Sequence, residues 1–276
     1  MIRPLPLRPS RLPFERPKPY IPLKPKGGNG MTIAVGFQCK NGFVFASDRQ
    51  MSHGQATDYG GFSHYETKTF GIDSVSFSAV LTGAGNHGDL IRPFAEALFA
   101  NLSEGESHET ETYLSIDQTR TILDATLNDF ASKGNAVPDA SFLLALVRGE
   151  EQQFLRSDGL IIRTAGPVEI LGIGDTSLVR YLTDSIHSPD LGSLYAVCLA
   201  AYVVYAAKKY CPQYCGGLTD VHLLSGGRKP VDGVFWDAWT TVEPDEITAL
   251  EDLYARRAKE HLLGVTEEAA DLLKRR

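Results

Sequence analysis

From position 32 onward, apolar and polar residues alternate or run in short blocks, and that pattern predicts most of the secondary structure. Thr32 to Cys39 reads as a strand, Lys40-Asn41-Gly42 as a turn, and Phe43 to Asp48 as a second strand. Asn-Gly between two such runs is a strong hairpin signal, because a tight hairpin turn needs residues that tolerate positive φ. Residues 50–65 are rich in Gly, Ser, His and Asp and read as a loop. Two further strand runs, Thr67 to Ile72 and Val75 to Thr82, lead into a glycine turn, Gly83-Ala84-Gly85-Asn86. Helical spacing follows. Ile91, Phe94 and Leu98 share one face over about 89–101. Ser115 and Gln118 make a capping box ahead of Ile116, Thr119, Leu123, Leu127 and Phe130. Strands return at Ser141 to Val147, Gln153 to Arg156, Leu160 to Arg163 and Val168 to Gly172. Helices are expected near 175–186 and 190–210, then strands at Leu218 to Leu224 and Val234 to Asp237. A charged helical tail starts at Pro244, where proline suits a first turn, and Thr266 caps a last short helix.

The order is strands, two helices, strands, two helices, strands. Strand and helix blocks are segregated, which excludes a βαβ alternation. The packing this predicts is α+β: a four-layer αββα sandwich of two antiparallel sheets flanked by helix pairs. Three stretches are expected: a leader over 1–31, one folded domain over 32–243, and a charged helical extension over 244–276.

Composition changes the picture mainly at the start. The chain has 276 residues, 43% of them hydrophobic, enough for a full core. The net charge of −7 does not favour nucleic acid as a partner. Residues 1–30 differ: they carry seven basic residues against Glu15 alone, and eight of the fifteen prolines. Such a segment cannot form a helix or an internal strand. It reads as a disordered tail, a cleaved leader, or a start site placed too early. Codons for Lys26-Gly27-Gly28 can spell a purine-rich ribosome-binding sequence just ahead of Met31. Translation is therefore expected to begin at Met31, which N-terminal sequencing of the native protein tests. Prolines interrupt any signal-peptide core, and the longest apolar run, Leu194 to Ala207, is too short to span a bilayer. Four cysteines are too few for a disulfide scaffold, and Cys211 with Cys215 lacks the further ligands of a zinc site. The expectation is a cytoplasmic protein with no membrane partner, no cofactor and no metal.

The candidate chemistry lies at the edge of the leader. If residues 1–31 are absent from the mature protein, Thr32 supplies a hydroxyl nucleophile and an amine base in one residue. An α-amino group titrates near ~7.7–8.0, so a useful fraction is neutral at pH 7. A nearby lysine would favour the neutral amine and stabilise negative charge on oxygen, and a carboxylate is needed to hold that lysine. Taken singly, Thr32 fits an ordinary strand residue, Asp48 a strand-end turn and Lys68 an edge charge. Their joint order, with the Asn-Gly hairpin and the glycine turn, favours a site. No lysine with serine or threonine follows Gly83 and Gly85, so a phosphate loop is not indicated.

Thr32 to Phe37, followed by Lys40 to Arg49, resembles the opening of a proteasome β-type subunit, an N-terminal nucleophile hydrolase, and is placed in the bacterial proteasome-like branch. Lys68-Thr69-Phe70, Thr82 to Gly85, Ser157-Asp158-Gly159 and Leu171 to Gly174 extend the resemblance. It implies the αββα fold and a role for each residue. Thr32 attacks a peptide carbonyl and its own amine takes the proton. Lys68 tunes that transfer, Asp48 fixes Lys68, and the Gly83 N–H stabilises the oxyanion. It also implies a peptide or unfolded-protein substrate and a homo-oligomeric ring. Three positions depart from the family pattern: Ile173 replaces a serine between glycines, Pro212 replaces an acid, and Cys215 replaces a serine. Met31 stands where leaders usually present glycine, so methionine removal is the simpler route to a free Thr32. The function expected is a threonine hydrolase. The alternatives are a non-catalytic assembly subunit and a small-molecule amidase of the same fold.

Overall fold

The turn at Lys40 and Asn41 joins β1 (Ile33–Cys39) to β2 (Gly42–Asp48), with Gly42 at φ 141°, a region open chiefly to glycine. Pairing runs from Cys39 opposite Gly42 to Ala34 opposite Ser47. This structure is a computed structural model that describes residues 32–52, 63–74, 77–85, 88–105, 115–135, 137, 140–148, 151–172, 180, 183–184, 186–212, 214–225 and 239–257. The 1–31 leader, Ile173, the strand expected at Val234 to Asp237 and Thr266 lie outside the described residues.

Two five-stranded antiparallel sheets are present. The first has the order β10-β1-β2-β11-β12, with β10 at Val168–Gly172, β11 at Thr219–Ser225 and β12 at Trp239–Thr241. The second has the order β5-β6-β7-β8-β9, with β5 at Thr69–Asp73, β6 at Ser78–Gly85, β7 at Ala140–Arg148, β8 at Glu151–Asp158 and β9 at Ile161–Thr164. Successive strand side chains point to opposite faces, so each sheet offers two surfaces to bury. Three apolar clusters result. Ala34, Phe43, Phe45, Val80, Leu143 and Phe154 fill the space between the sheets. Leu81, Phe142 and Leu144 pack outward against α1 (Ile91–Glu104) and α2 (Ile116–Ser132). Val35, Phe37, Val44 and Val221 pack the other way, against α3 (Ser193–Tyr210) and a fourth helix, α4, over residues 244–257. Three clusters separate four layers, so the fold is the α+β αββα sandwich.

Helix α2 begins at the expected capping box: the Gln118 N–H donates to Ser115 Oγ at 3.3 Å and the Ser115 N–H to Gln118 Oε1 at 2.7 Å. The tail expected from Pro244 is α4 as far as residue 257. It buries Ile247 and packs Leu250 and Tyr254 against the α3 cluster. Two expectations differ from the fold. Residues 50–65, read as a loop, contain a ribbon of β3 (Gln50–Ser52) and β4 (Ser63–Tyr65). The glycine turn expected at Gly83 to Gly85 is the last part of β6, because Gly83 to Gly85 pair with Phe142 to Ala140. Among the described residues, no helix is long and apolar enough to cross a membrane.

Candidate active site

Thr32 precedes β1, Asp48 ends β2 and Lys68 precedes β5, so the three meet at one end of the sandwich, where strands from both sheets begin or stop. Thr32 is 4% exposed, and Asp48 and Lys68 are fully buried. The Thr32 hydroxyl donates to Asp48 Oδ1 at 2.7 Å, and the Ile33 N–H donates to the same oxygen at 3.0 Å. Lys68 Nζ donates to Asp48 Oδ1 at 2.7 Å, to Thr32 Oγ1 and to the Gln50 carbonyl. The Gly216 N–H donates to Asp48 Oδ2 at 2.9 Å. All three protons of the ammonium are thereby placed, and Thr32 Oγ1 lies between a buried cation and a buried anion.

Burial lowers the proton affinity of Lys68, and the charge of Asp48 beside it opposes that only in part, so its pKa lies below the ordinary lysine value. Cys215 is buried near this pair; burial, and then the Asp48 charge, push its thiol up. It stays protonated at neutral pH and behaves as a small apolar residue. Pro212 is exposed.

Gly83 is bound differently from the expectation. Its N–H donates to the Lys68 carbonyl at 3.3 Å and therefore faces β5. N–H groups two residues apart on a strand point the same way. Gly85, opposite Ala140, thus aims its N–H to the same side, but beyond Thr69, where β5 begins. Other residues of the site were not legible as such. Gln50 contributes a backbone carbonyl, which leaves no mark on a sequence. Gly172 has φ 74°, and a Cβ there would lie 2.1 Å from the Thr32 carbonyl oxygen. Gly216, next to Cys215, supplies the amide on Asp48. Gly172 lay within the Leu171 to Gly174 motif, without its role.

Solved structures of similar architecture supply a comparison. They are Anbu proteins. Anbu (ancestral beta-subunit) from Yersinia bercovieri superposes with a TM-score of 0.64 at 15% identity, over 86% of this chain and 97% of that one. Anbu from Hyphomicrobium sp. strain MC1 gives 0.59 at 15%, over 84% and 97%. The helical assembly of the Anbu complex from Pseudomonas aeruginosa gives 0.62 at 15%, over 84% and 95%. No family model matches the chain, and no curated protein matches it. At this identity the likeness shows the fold, which is the proteasome-like N-terminal nucleophile fold. Placement in the bacterial proteasome β-subunit branch is corrected: the structural neighbours are Anbu proteins, proteasome-like but distinct. The residues behind that placement, the hairpin, Lys68 and the glycines at the end of β6, build the sandwich end itself.

Proposed function

We propose that this chain is a proteasome-like threonine hydrolase that cleaves peptide or other amide bonds, with Thr32 as nucleophile once residues 1–31 are lost. The observation that carries the reading is the Thr32 hydroxyl held at 2.7 Å from Asp48 Oδ1 and in contact with Lys68 Nζ inside a buried site. An ordinary strand threonine has no use for a buried ion pair, whose desolvation is costly.

The reaction follows from the geometry. Thr32 Oγ attacks the carbonyl carbon and its proton passes to the freed Thr32 amine. The C–N bond breaks as that proton goes to the leaving amine, which yields an ester on Thr32. Water then adds to the ester, restores the hydroxyl and releases the acid. Lys68 places positive charge beside the oxygen as it loses its proton, and Asp48 holds Lys68 in place. For the oxyanion, the N–H of Gly85 is better aimed than that of Gly83, which must first leave the Lys68 carbonyl. The protein works as a homo-oligomer in the cytoplasm on peptide or unfolded-protein substrates. The helical assembly of the Pseudomonas neighbour favours self-association, as an open helix or a closed ring. One observation favours a non-catalytic assembly subunit instead. A protonated, buried Cys215 stands where the family places a hydroxyl, and the polar shell around Thr32 is thinner for it.

The test is turnover of a panel of fluorogenic peptides by protein expressed from Met31. Mature mass is measured first, and Thr32→Ala is the control. Loss of methionine and Thr32-dependent release of fluorophore are expected. A retained methionine with no Thr32-dependent turnover leaves the assembly-subunit reading.

A further inference from the structure

Asp48 and Lys68 have sequence neighbours, Ser47 and Thr69, that the space between the sheets holds. Side chains alternate along a strand, so where Asp48 and Lys68 turn toward Thr32, Ser47 and Thr69 turn inward. There, Ser47 Oγ lies 3.2 Å from Thr69 Oγ1. Thr69 Oγ1 donates to Thr82 Oγ1 at 2.9 Å, and Thr82 Oγ1 donates to the Lys68 carbonyl at 3.2 Å. Each hydroxyl has one proton. That of Thr82 is used on Lys68 and that of Thr69 on Thr82, so Ser47 must donate to Thr69. The chain therefore runs in one direction, from the strand that carries Asp48 to the backbone of the lysine that Asp48 holds.

The setting gives this chain meaning. Ser47, Thr69 and Thr82 are at most 3% exposed and sit beside the apolar cluster of Phe45, Val80 and Ala84. Apolar residues would fill that space without needing partners, whereas a buried hydroxyl left unpaired keeps the full cost of its desolvation. The three hydroxyls bridge β2 of one sheet to β5 and β6 of the other. The Ser47–Thr69 link is the one that crosses between the sheets, and the two bonds beyond it carry the tie on to the Lys68 carbonyl. The Asp48–Lys68 ion pair, one residue away, spans the same gap at 2.7 Å.

We infer that Ser47, Thr69 and Thr82 are positioning residues that set the height of Lys68 against Asp48 and Thr32. The inference rests on the reading that Lys68 acts on Thr32. It is tested in the full chain with Thr69→Val, which keeps the shape and removes the hydroxyl, and Thr69→Ser, which keeps the hydroxyl. Two readouts are taken: the pH profile of Thr32 labelling by an electrophile, and the NMR titration of ¹³C-labelled Lys68. Thr69→Val is expected to slow labelling about tenfold, since sub-ångström misplacement of a reacting group is costly, and to shift both pH midpoints. Thr69→Ser is expected to stay within about twofold of the parent. Parental rate and parental Lys68 titration in Thr69→Val overturn the inference. So does equal loss in both variants, which would mean that shape matters and not the hydroxyl. If the parent does not label at all, the catalytic reading fails, and the Lys68 titration alone decides the positioning role. If thermal melting shows that Thr69→Val does not fold, Ser47→Ala, which removes only the first donor, is read by the same two measurements.

Discussion

Among the described residues, the charge clusters around Glu169 and around Lys68 are built in opposite ways. Glu169 on β10 is only 5% exposed and accepts from Arg156 Nη1 at 2.8 Å, Arg163 Nη1 at 2.7 Å and the Gly166 N–H at 2.8 Å. Burial alone would raise its pKa, but these donors outweigh burial and hold the carboxyl below its usual range. Lys68 is ion-paired with Asp48, and burial outweighs that partner. The first cluster is over-supplied with partners and ties β10 of one sheet to β8 and β9 of the other. The second is under-supplied and includes the hydroxyl proposed as the nucleophile. The difference separates a clasp from a site: an ion whose charge is fully met has no further chemistry, whereas one held short of balance can exchange a proton.

Breaking each cluster should have a different consequence. Lys68→Met is expected to lower Thr32-dependent peptide turnover on the order of 10²–10⁴-fold. Glu169→Gln should leave turnover within about twofold and cost about 2 kcal/mol of stability, because both arginines lose their charge-assisted bonds to Glu169 while keeping Asp158 nearby. Turnover assays and urea unfolding on both variants check this. A large turnover loss in Glu169→Gln would erase the contrast.

The pH dependence sharpens it. The folded pKa of Glu169 is depressed, so its stabilisation is present above the ordinary carboxylate range and is lost as pH falls through the folded value. The folded pKa of Lys68 is also lowered, which for a cation means a burial cost at neutral pH. That cost is relieved as pH rises toward the ordinary lysine value. Glu169→Gln should therefore flatten the acid limb of a stability–pH curve, and Lys68→Met the alkaline limb, as measured by denaturant unfolding across pH.

Gly172→Ala tests whether the site end tolerates any slack. A Cβ at φ 74° and 2.1 Å from the Thr32 carbonyl oxygen should destabilise by about 2–5 kcal/mol and displace Thr32. Unchanged melting and turnover would mean that β10 does not fix Thr32. His222 offers an effect confined to mildly acid pH. It is 6% exposed, and burial pushes its pKa down to about 4 from 6.5. The unfolded chain then takes up a proton before the folded one as pH drops. Stability should fall between those two values by up to about 3 kcal/mol. His222→Leu should remove that part of the slope.

Much of the fold was legible because its signals are local. Ser115 with Gln118 fixed the start of α2, and Asn41-Gly42 announced the first hairpin. The ribbon of β3 and β4 was missed because its sequence has turn composition and no alternating apolar face. Gly83 to Gly85 were taken for a turn because glycine usually marks one, yet pairing with β7 carries them as strand. At the site, Thr32 was named for the chemistry of a free N-terminal threonine and Asp48 and Lys68 through the proteasome-type resemblance; strand order brings the three together. Gln50 could not be named, because its backbone carbonyl contributes there and any residue has one. The direction of the Gly83 N–H depends on which neighbour it pairs with, and only the register of β5 on β6 decides that.

The central claim is that one residue supplies both nucleophile and base, and one measurement reaches it directly. Protein expressed from Met31 is treated with a peptide epoxyketone, which closes a ring only on a residue that offers both a hydroxyl and a free α-amine. Tandem mass spectrometry then locates the adduct. The prediction is a single adduct on an N-terminal Thr32, absent in Thr32→Ala and strongly reduced in Lys68→Met. An intact Thr32 in correctly assembled protein whose initiator methionine is gone would contradict it.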